Sequence, residues 1–185
     1  RPKLVVSRCL GFDRCRYNGE TIPDQTVESL KPYVDFTTVC PEVEIGLGVP
    51  RKPIRIVKEG ENTLLYQPAT KKEYSKDMNR FCSTFLSSIK EVDGFILKHK
   101  SPSCGINQVK VYHGFSRDAN KTNSSGFFGG MVKDRFSGLA IDDEGRLKNF
   151  TLRENFLTRL FCIARFREIK KEKDISKLTD FHAQH

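Results

Sequence analysis

Three cysteines in this chain stand in the same local setting. Cys9 comes soon after the apolar run Leu4-Val5-Val6, Cys40 directly follows Phe36-Thr37-Thr38-Val39, and Cys104 closes a loop after Phe95-Ile96-Leu97. Short runs rich in β-branched and aromatic residues read as buried strands. Each thiol therefore falls at or just past the C-terminal end of a strand. In open α/β sheets ligands gather in the crevice outside those ends, so thiols from distant parts of the sequence are expected to converge there. Taken singly, each is as well explained as core, because cysteine is among the most buried residue types. The shared setting, with Pro41 and Pro102 beside two of the three, favours a common site. No CxxC knuckle is present, which argues against structural zinc. Three widely spaced thiolates suit an iron–sulfur cluster, and a four-iron cluster with three protein ligands keeps one iron open for Lewis-acid chemistry.

The neighbours of these thiols carry polar chemistry. Glu42 and Glu44 follow Cys40 at alternate positions. If the segment is extended they point the same way, as a candidate general base beside a metal ligand; otherwise they form a solvated acidic pair. Ser101 and Ser103 flank Pro102, and either hydrogen-bond a substrate or satisfy loop backbone. Pro102 fixes its own φ and biases Ser101 toward an extended conformation, while Gly105 permits a turn. Arg51, Lys52 and Arg55 lie beyond Cys40, Lys98 and Lys100 precede Ser101, and Arg8, Arg14 and Arg16 surround Cys9. Phosphate binding, the balancing of an anionic cluster, and an ordinary solvated surface each account for those cations. Glu42, Ser103 and Arg51 are expected to bind substrate. Cys82 and Cys162 sit among apolar helical positions and are expected to pack; Cys15, in a loop between Arg14 and Arg16, is expected to stand outside the ligand set, with a fourth ligand or a reactive thiol as the lesser alternative. The four histidines single out no site.

The elements that must position these residues alternate. Strands are expected over 4–6, 35–39, 54–57, 63–66, 95–97, 109–112 and 139–141, with 54–57 and 63–66 forming a hairpin across the turn 59–62. Residues 23–30 read as a short helix. Met78, Phe81, Cys82, Phe85, Leu86 and Ile89 recur at spacings of three and four, which predicts a helix over 71–92. A strand after that helix implies a parallel pair with a right-handed crossover. A mobile polar loop is expected over 116–125, a short helix over 126–136, and a long last helix carrying Leu152, Phe156, Leu160 and Ala164.

At 185 residues the chain is long enough for one domain with a substantial core. No run approaches the length of a membrane span and the first residues carry no apolar signal stretch, so no membrane association is expected. The sequence opens at Arg1 with no Met, and a trimmed start is expected. Six cysteines without an export signal argue for a reducing cytoplasm, where thiols more often bind metal or react than pair. A formal charge of +9 and a pI near 9.3 favour a polyanionic partner such as nucleic acid.

At the same residues the chain resembles a known family. VSRCLG at 6–11, VCPEVEIGLGVPR at 39–51, DGFILKHKSPSCG at 93–105 and LRENF at 152–156 are similar to the motifs of the thiouracil desulfurases. The resemblance spans residues 4–166. It implies a Rossmann-like, three-layer α/β fold with a mostly parallel sheet and a small β-hairpin. It also implies a [4Fe-4S] cluster held by Cys9, Cys40 and Cys104, a catalytic carboxylate at Glu44 and a substrate-contacting serine at Ser101. The implied reaction is a non-redox desulfuration of a thiolated uracil that releases hydrogen sulfide. Residues 175–182 resemble the opening of a helical domain fused behind some members, so 1–166 is expected to be the desulfidase domain and 167–185 a linker and the start of a truncated domain. Fused members are similar to enzymes acting on thiouridine in tRNA, which makes tRNA the first expected substrate and free thiouracil the second. The rival is a basic RNA-binding module whose cysteines hold a structural metal without catalysis; only an enzyme needs Glu44 and Ser101 beside the thiols.

Overall fold

The computed structural model describes residues 1–117, 119–172 and 175–184. The chain runs β1 (Lys3–Ser7), α1 (Gln25–Leu30), β2 (Asp35–Val39), α2 (Pro41–Glu44), β3 (Arg55–Glu59), β4 (Asn62–Gln67), β5 (Lys72–Glu73), α3 (Ser75–Ser88), β6 (Gly94–Leu97), β7 (Val109–His113), β8 (Lys121–Ser124), α4 (Phe127–Arg135), β9 (Ala140–Asp143), a 3₁₀ turn at Arg146–Lys148, α5 (Phe150–Glu172) and α6 (Ile175–Gln184).

The first sheet has the order β2-β1-β6-β9, and every pairing in it is parallel. Its central strands are apolar on both faces, as a sheet covered on both sides requires. Leu4, Val6 and Ile96 face Val27 and Leu30 of α1 and Phe156 and Leu160 of α5. Val5, Phe95 and Leu97 face the opposite way, onto Met78, Cys82 and Leu86 of α3 and Phe128 and Val132 of α4. The result is the expected three-layer α/β arrangement. From β1 the chain adds β2 on one side and later β6 on the other. The order therefore reverses between β1 and β6, and the crevice at their C-terminal ends is the topological switch point.

The expected hairpin, β3 with β4, is part of something larger. A second sheet runs β5-β4-β3-β7-β8, with β3 and β7 parallel and the other pairs antiparallel. Ile56, Leu65, Val109 and Val111 place it on the same core as α3 and α4. Within the stretch expected to be a mobile loop, Lys121–Ser124 is an edge strand on β7. All four of its residues are exposed and polar. Nothing in their own chemistry marks a strand; the ladder to β7 supplies it. Residue 118, in the same stretch, lies outside the described residues.

Helix α3 begins at Ser75, four residues later than its periodicity predicts, because Lys72 and Glu73 pair with Gln67 and Tyr66 of β4. Helix α5 runs without a break through the expected boundary at 166/167. Arg167 lies on this helix and binds the fully buried Asp93 at 2.9 and 3.0 Å and the carbonyl of Arg1 at 3.0 Å. These bonds pin α5 to the residues just ahead of β6 and β1. Among the described residues no helix is long and apolar enough to cross a membrane.

Candidate functional site

The thiols are placed by three different devices. After β1 the chain turns, with Leu10 N–H donating to Ser7 O at 2.9 Å, and the Cys9 carbonyl accepts from Ile22 N at 2.7 Å and Thr21 Oγ1 at 3.1 Å. Cys40 is the N-cap of α2, and Pro41 stands at its first position. There a fixed φ suits the helix and a missing N–H costs nothing. Val43 and Glu44 N–H groups donate to the Cys40 carbonyl at 3.0 and 3.1 Å. The segment that would align Glu42 with Glu44 if extended is thus a helical turn. Residues two apart on a helix do not share a face, and the two carboxylates part company.

The third device is the loop after β6. Ser101 Oγ accepts from Ser103 N at 3.2 Å and Cys104 N at 3.1 Å, and Gly105 N donates to Ser101 O at 2.9 Å. The N-terminus of α4 then grips the loop from outside. Gly126 N donates to Gly105 O at 2.7 Å, Phe127 N to Pro102 O at 3.1 Å, and Phe128 N and Gly129 N to Ser103 O at 2.9 and 3.1 Å. Orphan donors of a helix start are thereby spent on the carbonyls of the cysteine loop. Glycine is needed at Gly105 and Gly129 for closeness. A Cβ on Gly105 would lie 2.3 Å from Val109 Cγ2, and one on Gly129 would lie 2.3 Å from Gly105 O and 2.5 Å from Cys104 O. The turn expected to need glycine at 105 needs it for that contact and not for a left-handed φ. It is Lys100, with φ of 55°, that takes the left-handed conformation here.

These devices bring the thiols to one cavity of about 310 Å³ at the switch point. Cys9, Cys15, Cys40 and Cys104 line it, with Ser7, Ser101, Glu42 and Arg51; Arg16, Tyr17, Lys98, His99 and Lys100 complete its walls. All four are free thiols and buried. A larger hollow of about 800 Å³ over β3, β7 and β8 has no cysteine in its lining.

Burial helps raise the proton affinity of Cys15, Cys40 and Cys104. Cys104 is pushed well up by burial, against a hydrogen bond from Ser7 that pulls the other way. Cys40 is pushed well up by its hydrogen bond with Cys15 and then by burial. For Cys15 the bond with Cys40 lowers the value, but a bond with Cys9 and burial outweigh it and leave it at about 11. Such thiols wait for a cation to displace their protons, as metal-binding cysteines do. The donor set is all sulfur, which suits thiolate-bound iron. Among the described residues no group of three or more His, Cys, Asp or Glu is arranged to hold a single metal ion. Thiolates that each take a different iron of a cluster have no need to meet at one point.

The cations near the thiols are largely committed to carboxylates. Arg51 Nε binds Glu42 Oε2 at 2.7 Å, and its Nη1 donates to Cys15 O at 2.9 Å and Gly48 O at 3.0 Å. Ser103 Oγ donates to the other Glu42 oxygen at 2.8 Å. Arg8, next to Cys9, holds Glu44 Oε1. Lys98 holds Glu144, whose second oxygen accepts from His99 N at 2.6 Å.

Of the residues singled out in the sequence, Cys9, Cys40, Cys104, Ser101, Glu42 and Arg51 line the cavity; Ser103 is fully buried behind Glu42. Glu44 is outside the lining, on Arg8. Cys82 and Cys162 stand away from it, Cys82 in the core against α3's neighbours. Sequence reasoning missed Tyr17, the anchoring of Lys98 by Glu144, and the grip of α4. The glycine cluster at 126, 129 and 130 was the one visible signal for the last of these.

Fold and site together define an α/β protein with a thiol-lined cavity at the switch point of a parallel sheet. The structure of the [4Fe-4S]-dependent thiouracil desulfidase TudS matches with a TM-score of 0.64 and 23% identity, over 84% of this chain and 99% of that one, a likeness of fold. An uncharacterized Bacillus subtilis (strain 168) protein, YbbK, is 28% identical over 153 residues, 79% of this chain and 98% of its own length. The model of the 2-thiouracil desulfurase family matches residues 4–144, and the chain belongs to that family.

Proposed function

We propose that this chain removes sulfur from a thiolated uracil by a redox-neutral hydrolysis that converts C=S to C=O and releases hydrogen sulfide. The observation that carries this is the convergence of Cys9, Cys40 and Cys104 from three parallel strand ends on a cavity that Ser101 also lines. The three thiols would hold a [4Fe-4S] cluster, the group borne by the desulfidase of like fold. When bound, such a cluster supplies an iron without a protein ligand, a Lewis acid suited to a thiocarbonyl sulfur.

The chain's own residues divide the remaining work. Both oxygens of Glu42 are engaged, by Arg51 and Ser103. Glu42 therefore orients its neighbours, with each oxygen held by a protein donor. Glu44 is held by Arg8, one residue from Cys9, and side-chain exposure of 38% gives it access to water. It is the general base that takes a proton from the attacking water. Ser101 Oγ already accepts two backbone N–H groups, which fixes the oxygen and leaves its proton to donate to the substrate ring. The substrate we favour is thiouridine in tRNA, with free thiouracil second. Net charge of +9 supports a polyanion, as does Lys100 in the cavity wall.

The test is anaerobic reconstitution with iron and sulfide, then measurement of sulfide released from thiolated tRNA and from thiouracil. Glu44→Ala is expected to abolish release with cluster absorbance unchanged. A fully loaded wild-type chain that desulfurates neither substrate overturns the proposal.

A further inference from the structure

Cys15 is a fourth buried thiol in the cavity, 2% exposed, and the reaction proposed above gives it no role. Its position is built. The Cys15 carbonyl accepts from Arg51 Nη1 at 2.9 Å and from the Cys40 thiol at 3.7 Å. Arg51 is itself tied to Glu42, so the same guanidinium that fixes the carboxylate fixes the Cys15 backbone. The Cys15 thiol interacts with the thiols of both Cys9 and Cys40. The turn that carries it is closed back on the site, with Ile22 N donating to Cys9 O at 2.7 Å.

A core cysteine would lie among apolar side chains, as Cys82 does on the face of α3. Cys15 also packs with the apolar cluster of Leu10 and Val27, but unlike Cys82 it has the thiols of Cys9 and Cys40 as neighbours and lines the same cavity. We infer that Cys15 is an exchangeable fourth ligand of the iron–sulfur site, holding the iron left open by Cys9, Cys40 and Cys104 until substrate sulfur replaces it. This rests on the cluster assigned under the proposed function. The exchange is redox-neutral: the bond from the Cys15 sulfur to the metal is given up, the thiolate takes a proton from water, and the sulfur of the substrate binds in its place. A covered resting site would be shielded from oxygen, because no iron is left to solvent.

The experiment compares wild type with Cys15→Ser and Cys15→Ala, reconstituted anaerobically. Folding of each unloaded variant is checked by thermal melting. The expected result is a full iron complement in all three, a shifted electron paramagnetic resonance signal of the reduced cluster in both variants, and loss of the cluster in air roughly tenfold faster than in wild type. In the wild type, binding of thiourea, a thiocarbonyl probe, takes up a proton, and this uptake is lost in the variants. Identical spectra and air stability in wild type and variants overturn the inference while leaving the desulfidase reading intact, and so does proton uptake that is absent from the wild type. Shifted spectra in a chain that desulfurates no thiolated uracil leave Cys15 as a ligand and overturn the function. A wild-type chain that takes up no iron overturns both.

Discussion

Arg51 and Glu42 form an ion pair at 2.7 Å between side chains only 5% and 12% exposed, and the same guanidinium reaches the backbone of Cys15. One residue thus couples the loop after β1 to the helical turn after β2.

Replacing Arg51 by Met strands the Glu42 carboxylate where little water reaches it. Removing one partner of a buried pair costs about 3–5 kcal/mol, far more than the pair itself contributes. Denaturant unfolding of the unloaded chain is expected to show that loss for Arg51→Met. The double change Arg51→Met with Glu42→Gln is expected to recover much of it, since no charge is then left unpaired.

Ser101 has two duties that substitution can separate. Its oxygen caps the N–H groups of Ser103 and Cys104, so Ser101→Ala is expected to cost about 1 kcal/mol. In a chain of this size that lowers Tm by about 2–4 °C. If the hydroxyl also donates to substrate, kcat for sulfide release falls while the iron content of the reconstituted chain holds. Ser101→Thr retains the oxygen and is expected to retain the melting temperature. A drop in iron content that matches the drop in turnover would reduce Ser101 to a positioning residue.

Two neighbouring glycines of α4 are expected to respond oppositely to alanine. At Gly129 a Cβ would sit 2.3 Å from Gly105 O and 2.5 Å from Cys104 O, both backbone atoms of the cysteine loop. The helix must back away, and such overpacking costs about 1–3 kcal/mol. Gly130 meets nothing nearer than Ser125 Cβ at 3.5 Å, an ordinary contact. Gly130→Ala therefore gains up to about 1 kcal/mol from helix propensity. Thermal melts of the unloaded variants read both signs, and iron uptake is expected to fall for Gly129→Ala alone.

The parts of this molecule that the sequence exposed are those whose residues carry their own reason. Leu4-Val5-Val6 and Phe95-Ile96-Leu97 are apolar on both faces because helices cover both, so the central strands and the thiols after them were legible. The strand Lys121–Ser124 was not, since polar exposed residues become a strand only when β7 offers a ladder. The α2 turn was not foreseen despite a visible signal, Pro41 directly after Cys40, and with the segment helical the condition for Glu42 and Glu44 to share a face is not met. Cys15 had no strand before it. Only the fold-back of residues 10–22 against Cys9 brings its sulfur to the others, a long-range closure that no local pattern encodes.

Cys82 gives a pH prediction free of the metal site. It lies in the core on α3, and burial pushes its thiol from the usual 9.0 up to about 12. The folded value exceeds the unfolded one, so the buried neutral thiol contributes its full stability below pH 9. Above that the unfolded chain sheds a proton that the folded chain keeps. Stability is then lost as pH rises from 9 toward 12, with a slope of up to about 1.4 kcal/mol per pH unit from this one group. Cys82→Ala also leaves a small void, so its absolute stability falls. The informative quantity is the slope. Unfolding free energies of the unloaded chain between pH 8 and 10.5 are expected to decline less steeply in Cys82→Ala than in wild type, by up to one proton's worth. Parallel lines for the two chains would mean that Cys82 titrates alike folded and unfolded, and that water reaches it in the native state.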